Sequence, residues 1–436
     1  MAVTYLKKAD PAILAAGQAE ARDTVEIMLT RIRQGGEAVV RDYAQRLDQW
    51  DGALVVERNE MAEAAAQVAP ELRDALRYAH DNIRRFAEAQ KASLTEFETE
   101  LRPGLFAGQG VIPLQAAGCY VPGGRYSHVA SALMSITTAR VAGVADITAC
   151  SPPRLGEGIP SAILYAMWLA GADRALALGG VQAIAAMTEG YFGAGKADIL
   201  VGPGNQYVAE AKRQLFGEVG IDMFAGPTDV LIVADETADA ETVAWDLVGQ
   251  AEHGANSPVW LVTTSKALAA DVLDLVPACC AALQEPNRSV AKQAWEERAD
   301  VMLCDTREEM AICADRYAPE HLHVQAADLA WWQGRLQSYG SLFLGAEACV
   351  TFGDKAAGPN HVLPTDQAAR YTGGLSVHKF LKTVTWQRVE ADALPDLVRA
   401  SATISRQEGM EGHAISAERR GDLHRPAPNL KVAQSG

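Results

Sequence analysis

DILVGPGNQYVAEAKRQLFG, residues 198–217, is a strand-length apolar run, a glycine-rich turn and a segment with helical spacing, in that order. One such unit cannot bury its strand on both faces, so it needs parallel neighbours with helices above and below. The neighbours are present. Upstream lie DITACSPP (146–153) and SAILYAMWLAGA (161–172), then RALALGG (174–180) and VQAIAAMTEG (181–190). Downstream, DVLIVAD (229–235), a helix ending near 250, PVWLVTTS (258–265), DVMLC (300–304), HLHVQ (321–325) and SLFLG (341–345) keep the same rhythm. The predicted fold is α/β, with two Rossmann-like parallel-sheet domains over 106–235 and 236–384. The first is expected to bind a nucleotide and the second to carry a metal site. Residues 1–105 read as an N-terminal helical arm, because AEARDTVEIMLTRIRQGG (19–36) and ELRDALRYAHDNIRRFAEAQKA (71–92) have helical periodicity. Residues 385–436 read as a small C-terminal helical appendage. No internal repeat is visible in the sequence.

Bulk properties narrow the function. A net charge of −16 argues against a nucleic-acid partner, which requires a basic face. No run approaches the roughly 20 apolar residues of a membrane helix, and the N-terminus has no signal-peptide pattern, so a cytoplasmic location without membrane attachment is expected. The 7 cysteines are scattered, odd in number and form no CxxC, which speaks against a disulfide framework or a thiolate metal site. Cys349 sits near a polar loop, but nothing adjacent in sequence activates its thiol.

In open α/β sheets ligands bind beyond the carboxyl ends of the strands. GCYVPGGRYSH (118–128), GGVQAI (179–184) and GPGNQYV (202–208) occupy such places, where glycines let backbone N–H groups approach a phosphate. Taken alone, each also reads as a tight strand–helix turn. DLVGQAEHGANSP (246–258) ends an apolar helix with Gln250 and His253 one turn apart. A dipole-stabilised helix end explains that as well as a metal site does. YAPEHLHVQ (317–325) places Glu320 beside His321, a carboxylate and an imidazole suited to proton transfer. FGDKAAGPNHVLPT (352–365) offers Asp354 and His361, and EGMEGHAISAERR (408–420) offers Glu408 and His413. Oxygen and nitrogen donors of these kinds suit zinc.

GCYVPGG, GGVQAIAAM, VGPGNQYVAEAKR, DMFAGPTDVLIVAD, QAEHG, APEHL, GPNHVLPT and EGHA occur in one order over nearly the whole chain. Together they resemble the histidinol dehydrogenase family. The resemblance implies a zinc-dependent, NAD-linked oxidation of a primary alcohol to a carboxylate through an aldehyde. It implies zinc ligands Gln250, His253, Asp354 and His413, an acid–base pair Glu320 and His321, NAD contacts at Tyr120, Gln182 and Asn205, and substrate contacts at Thr228 and Glu408. It also implies a homodimer whose C-terminal Glu408 and His413 serve the other chain's site.

The chain departs from the family's usual pattern in ways that bear on substrate. Thr228 stands in place of a serine and is followed by Asp229. Arg125 and His128 follow the VPGG element, and His378 and Lys379 lie in GGLSVHKFLK (373–382). Added basic groups suggest an anionic substrate end. An offshoot of the family oxidises 2,3-dihydroxypropane-1-sulfonate to sulfolactate, and that small anionic alcohol is the expected substrate, with L-histidinol as the alternative. A zinc hydrolase would leave the glycine-rich loops idle. A catalytically dead scaffold would not need the four donors and the Glu-His pair.

Overall fold

The computed structural model describes residues 3–10, 19–123, 128–224 and 226–423. The chain divides into two compact units, residues 1–92 with 113–380 and residues 93–112 with 381–436.

In the larger unit, β1 (Thr4–Lys7), α1 (Ala19–Leu47), β2 (Val55–Glu57), α2 (Arg58–Glu63) and α3 (Pro70–Ala92) come first. The glycine pair predicted to stop the first helix does interrupt it, for Gly36 has φ 62° and ψ −150°, but the chain resumes a helix at once. β3 (Phe97–Arg102) and β4 (Leu105–Pro113) form a hairpin that belongs with the smaller unit.

Two runs of alternating elements then follow. The first is β5 (Ala116–Tyr120), α4 (Val129–Ala142), β6 (Asp146–Ser151), α5 (Ser161–Ala170), β7 (Arg174–Ala177), α6 (Gly180–Glu189), β8 (Ile199–Val201), α7 (Gln206–Leu215) and β9 (Gly220–Ile221). The second is β10 (Val230–Ala234), α8 (Ala240–Ala251), β11 (Val259–Thr263), α9 (Lys266–Ala282), α10 (Asn287–Arg298), β12 (Asp300–Leu303), α11 (Arg307–Tyr317), β13 (His321–Gln325), α12 (Leu329–Arg335), β14 (Ser341–Leu344) and α13 (Val350–Lys355).

The sheet orders are β2-β7-β6-β5-β8-β9 and β1-β12-β11-β10-β13-β14. Numbered within each run, the five parallel strands of both sheets lie in the order 3-2-1-4-5. Beyond the helices expected of the N-terminal region, β1 and β2 each add an antiparallel edge strand, to β12 and β7 respectively. The chain therefore builds one doubly wound pattern twice, a repeat of topology that the sequence does not show. In each sheet the strand order reverses between the first and fourth strands, β5 and β8 or β10 and β13.

The central strands are apolar because helices cover both faces. All five residues of β10, VLIVA, are buried, and so are all five of β5. Helix α8 starts on the Asp239 side chain, which accepts from Thr242 N. It buries Val243, Ala244, Leu247, Val248 and Ala251 on the second sheet. Since it leaves the carboxyl end of β10 and runs back, its last turn lies at the amino end of that strand.

The smaller unit holds the three-stranded sheet β15-β4-β3, where β15 is Leu381–Val389, and the helices α14 (Leu394–Gln407) and α15 (Glu411–Asp422). Its helices pack on each other mainly through small residues, with Ala393, Ala402 and Ala414 buried.

One backbone approach ties the first domain's loops together. Gly202 has φ +112°, and a Cβ there would overlap the Tyr120 carbonyl. Gly202→Ala therefore combines left-handed strain with a backbone clash and should cost about 3 kcal/mol or more in stability. Urea denaturation checks this, and a loss below about 1 kcal/mol would show that the two loops can part.

Candidate active site

At the end of α8 the buried Gln250 amide donates to Thr228 Oγ1. Thr228 Oγ1 in turn donates to Glu320 Oε2 at 2.6 Å. Asp229 and Glu320 then bracket each other across the adjacent strands β10 and β13. Asp229 N donates to Glu320 Oε2 at 3.2 Å, and Glu320 N donates to Asp229 Oδ1 at 2.7 Å. The next residue, His321, has Nδ1 2.8 Å from the Asp229 carbonyl oxygen. A carbonyl only accepts, so Nδ1 carries a hydrogen. The opposite nitrogen, Nε2, is buried without a hydrogen-bond partner and lies 3.6 Å from Asp354 Oδ1.

Asp354 is the hub of a second group. His253 Nε2 stands 3.9 Å from Asp354 Oδ2, and Lys355 Nζ stands 3.8 Å from the same oxygen. His361 Nδ1 is 2.8 Å from the Asp354 carbonyl oxygen, and its Nε2 is 3.0 Å from Ser131 Oγ of α4. That contact joins the second domain's loop to the first domain. Glu252 points away, accepting from Asn287 Nδ2 at 2.9 Å, as its spacing on the helix suggests. A cavity of about 210 Å³ adjoins the cluster, lined by His321, Phe343, Cys349, Phe352, Asp354 and His361 among others.

Burial and charge set the protonation of this cluster. Burial pushes Glu320 up to about 7, against the His321 imidazole and the Thr228 hydrogen bond. Burial works to lower His321, but the Glu320 and Asp354 carboxylates outweigh it and hold the imidazole up at about 9. Burial also works to raise Asp354, yet His321, His361 and Lys355 hold it well below the usual carboxylate range. His128, at the N-terminus of α4, is pushed down to about 4 by burial and then by Lys355, His361 and His253. It is therefore neutral near pH 7, and it can meet a substrate through a hydrogen bond but not through a charge.

The other predicted residues fall as follows. Tyr120, the last residue of β5, accepts at its hydroxyl from Gly180 N at 3.2 Å, and burial pushes that hydroxyl's pKa upward. Gln182, in the first turn of α6, donates to Asp48 Oδ2 at 2.9 Å, and its Oε1 is buried without a partner. Asn205 is exposed and caps α7, accepting from Tyr207 N and Val208 N. These three line the carboxyl end of the first sheet. Arg125 lies outside the described residues. Glu408 and His413 are exposed on the smaller unit, at the end of α14 and in the first turn of α15. His378 is exposed, with Nε2 3.3 Å from the Gln90 carbonyl oxygen of α3, and Lys379 is half-buried.

Sequence reasoning missed Asp48, which also accepts from Gly179 N at 3.1 Å and so fastens the Gly179–Gly180 turn. It missed the buried Lys212–Asp222 pair, which grips the GPGN turn through the Gly202 carbonyl and N–H. It noted Asp229 only as a departure and passed over Lys355. A buried carboxylate leaves no trace in a sequence until its partners are known.

The sequence profile of the histidinol dehydrogenase family matches residues 14–421. The chain belongs to the histidinol dehydrogenase family. It is 68% identical over the full length of both chains to a histidinol dehydrogenase homolog of Ruegeria pomeroyi, and 55% identical, again over both full lengths, to a sulfopropanediol 3-dehydrogenase of the same organism. A histidinol dehydrogenase of Methanosarcina mazei is 39% identical, with 93% of each chain covered. The crystal structure of histidinol dehydrogenase from Elizabethkingia anophelis superposes with a TM-score of 0.88 at 34% identity, covering 94% of each chain. As a member of this family the chain is an oxidoreductase acting on a CH–OH group. No helix among the described residues is long and apolar enough to cross a membrane.

The donor set can be weighed against the zinc implied by the resemblance. Gln250, His253 and Asp354 present an amide, an imidazole and a carboxylate, all competent zinc ligands. The 3.9 Å between His253 Nε2 and Asp354 Oδ2 is slightly wider than two ligands of one tetrahedral ion require. No group of three His, Cys, Asp or Glu placed to hold a metal occurs among the described residues. Within the larger unit, the buried Gln250 amide would be the further donor. For a nucleotide, the unpartnered Gln182 Oε1 and the three glycine turns at the carboxyl end of the first sheet are a suitable cradle.

Asp354→Asn removes a carboxylate that favours the His321 imidazolium, so the titration of His321 in metal-free protein should shift downward from about 9. NMR of labelled histidine reads this directly. An unmoved titration would mean that Glu320 alone sets it.

Proposed function

We propose that the chain oxidises the primary alcohol of 2,3-dihydroxypropane-1-sulfonate to the carboxylate, giving sulfolactate, with NAD as acceptor and zinc as cofactor. The observation that carries the chemistry is the buried His321 Nε2, without a hydrogen-bond partner and facing Asp354. The 55% identity to a sulfopropanediol 3-dehydrogenase, against 39% to the Methanosarcina enzyme, supports the choice of substrate. Histidinol remains the second reading, because the crystal structure at TM-score 0.88 is a histidinol dehydrogenase.

The overall reaction consumes one alcohol, two NAD⁺ and one water, and releases one carboxylate, two NADH and three protons. Zinc, held by Gln250, His253, Asp354 and His413, would supply Lewis-acid polarisation of the substrate oxygen. His321 accepts the alcohol proton at Nε2, since Nδ1 is committed to the Asp229 carbonyl. That role needs a neutral imidazole, and Asp354 favours the cation less once its charge is shared with a bound metal. Glu320, lifted to about 7, is matched to moving a proton from the water that adds to the aldehyde. Thr228 and the Asp229 N–H keep that carboxylate in place. Tyr120, Gln182 and Asn205 are the residues that would hold NAD, which would supply the hydride acceptor. His128, at the start of α4, is assigned to the substrate.

The active form is a homodimer in which Glu408 and His413 of one chain complete the site of the other. Ile404, Met410, Ile415 and Leu423 of the smaller unit are exposed, as are Phe97 and Leu101, and such a surface favours a protein partner.

Two measurements test these readings. NAD reduction should be rapid with 2,3-dihydroxypropane-1-sulfonate and slow with L-histidinol, be abolished by a chelator and return with zinc. Turnover of histidinol alone overturns the substrate. Separately, Glu320→Gln and His413→Ala chains, each inactive, should regain activity when mixed. Mixed dimers that stay inactive would place both residues in the same chain's site.

A further inference from the structure

Lys355 ends helix α13 with its side chain 56% exposed. Its ammonium makes one ion pair, the 3.8 Å contact to Asp354, and no hydrogen bond among the described residues. At that distance and exposure the pair is weak, and the ammonium stays available. Elements distant in sequence converge on it. They bring His128 from the start of α4, His253 from the end of α8 and His361 from the loop after α13, all close enough to feel the Lys355 charge. Lys355 therefore adds an exposed ammonium to this cluster. It stands beside Asp354, which faces His321 Nε2 at 3.6 Å.

We propose that Lys355 is the residue that selects an anionic substrate, pairing with the charged end of a small sulfonate or carboxylate alcohol while the hydroxyl is presented to His321. The assignment rests on the proposed dehydrogenase function and adds to it the group that reads the substrate's charge. It works in two directions. An ammonium donating to a sulfonate oxygen makes a charge-assisted hydrogen bond. The same ammonium repels a substrate that carries its own amine, as histidinol does. His128, neutral, can add a hydrogen bond without adding charge.

The test uses full-length protein and the substitutions Lys355→Met and Lys355→Arg. Two substrates are compared, 2,3-dihydroxypropane-1-sulfonate and its uncharged analogue 3-(methylsulfonyl)propane-1,2-diol. The ratio of kcat/KM for the charged over the uncharged diol should fall about 10- to 100-fold in Lys355→Met, through KM, and be largely restored in Lys355→Arg. Titration calorimetry with unreactive propane-1-sulfonate gives a readout that needs no turnover, and its affinity should fall by a similar factor in Lys355→Met. A merely structural role would lower both substrates together and leave the ratio fixed, which overturns the proposal. Equal affinity of propane-1-sulfonate for wild type and Lys355→Met, or none for wild type, overturns it too. If wild type binds that anion through Lys355 yet fails to oxidise the sulfonate diol, the proposed substrate fails while the role of Lys355 stands.

Discussion

The site depends on a reciprocal clasp between Asp229 and Glu320. Two carboxylates buried on adjacent strands would repel each other if each were held only by charge. Here each accepts the other residue's backbone N–H, so the strands themselves supply the donors. The clasp also fixes the imidazole, because the Asp229 carbonyl takes His321 Nδ1. One residue without chemistry of its own thus orients both Glu320 and His321. The clasp is possible only because β10 and β13 are neighbours, with Val230 paired to His321 in register. A shift of one residue would turn these side chains to the other face.

The duplicated topology gives the two domains different duties. Ligands of open α/β sheets lie at the carboxyl ends of strands where the order reverses. In the first domain Tyr120, Gln182 and Asn205 lie at the carboxyl ends of the strands. The second inverts it, since Thr228, Asp229, Glu320 and His321 sit at the amino ends of β10 and β13. Helix α8 makes the inversion useful. Because it runs antiparallel to β10, Gln250 and His253 arrive at that same end. At that end the second sheet's own crossover helices present their C-termini, which favours a cation over a phosphate. The glycine turns and the Glu320–His321 cluster are thereby separated onto the two domains.

Much of this was legible in the sequence, for definite reasons. Parallel strands buried on both faces are short apolar runs with glycine turns after them, so VLIVA and ILV announced themselves. The polar motifs were equally plain, because Glu320, His321, Gln250 and Asp354 break apolar patterns. Other features had no local signature. β1 and β2 are edge strands of 4 and 3 residues, too short for a period-2 signal. The hairpin of β3 and β4 follows the N-terminal helices in sequence but is grouped with residues 381–436. Asp48, Asp222 and Lys212 act through backbone atoms of distant glycine turns, and only the folded chain reveals those partners.

Lys355 illustrates the difficulty most directly. In sequence it is one lysine beside an aspartate at the end of a 6-residue helix, the commonest kind of solvated pair. The basic residues that drew attention were Arg125, His128, His378 and Lys379, because they stood out from a pattern. The structure holds His128 neutral and sets His378 against Gln90 of α3. What counts is the sign of the field where the substrate's charged end must lie, and that field is a sum over elements distant in sequence. Asp354 faces His321 Nε2 and His253 Nε2. Burial lowers the basicity of His128, His253 and His361, while the Glu320 and Asp354 carboxylates raise that of His321. Lys355 adds an exposed ammonium beside Asp354, so the sign of the local field is decided by folding and burial, and not by composition.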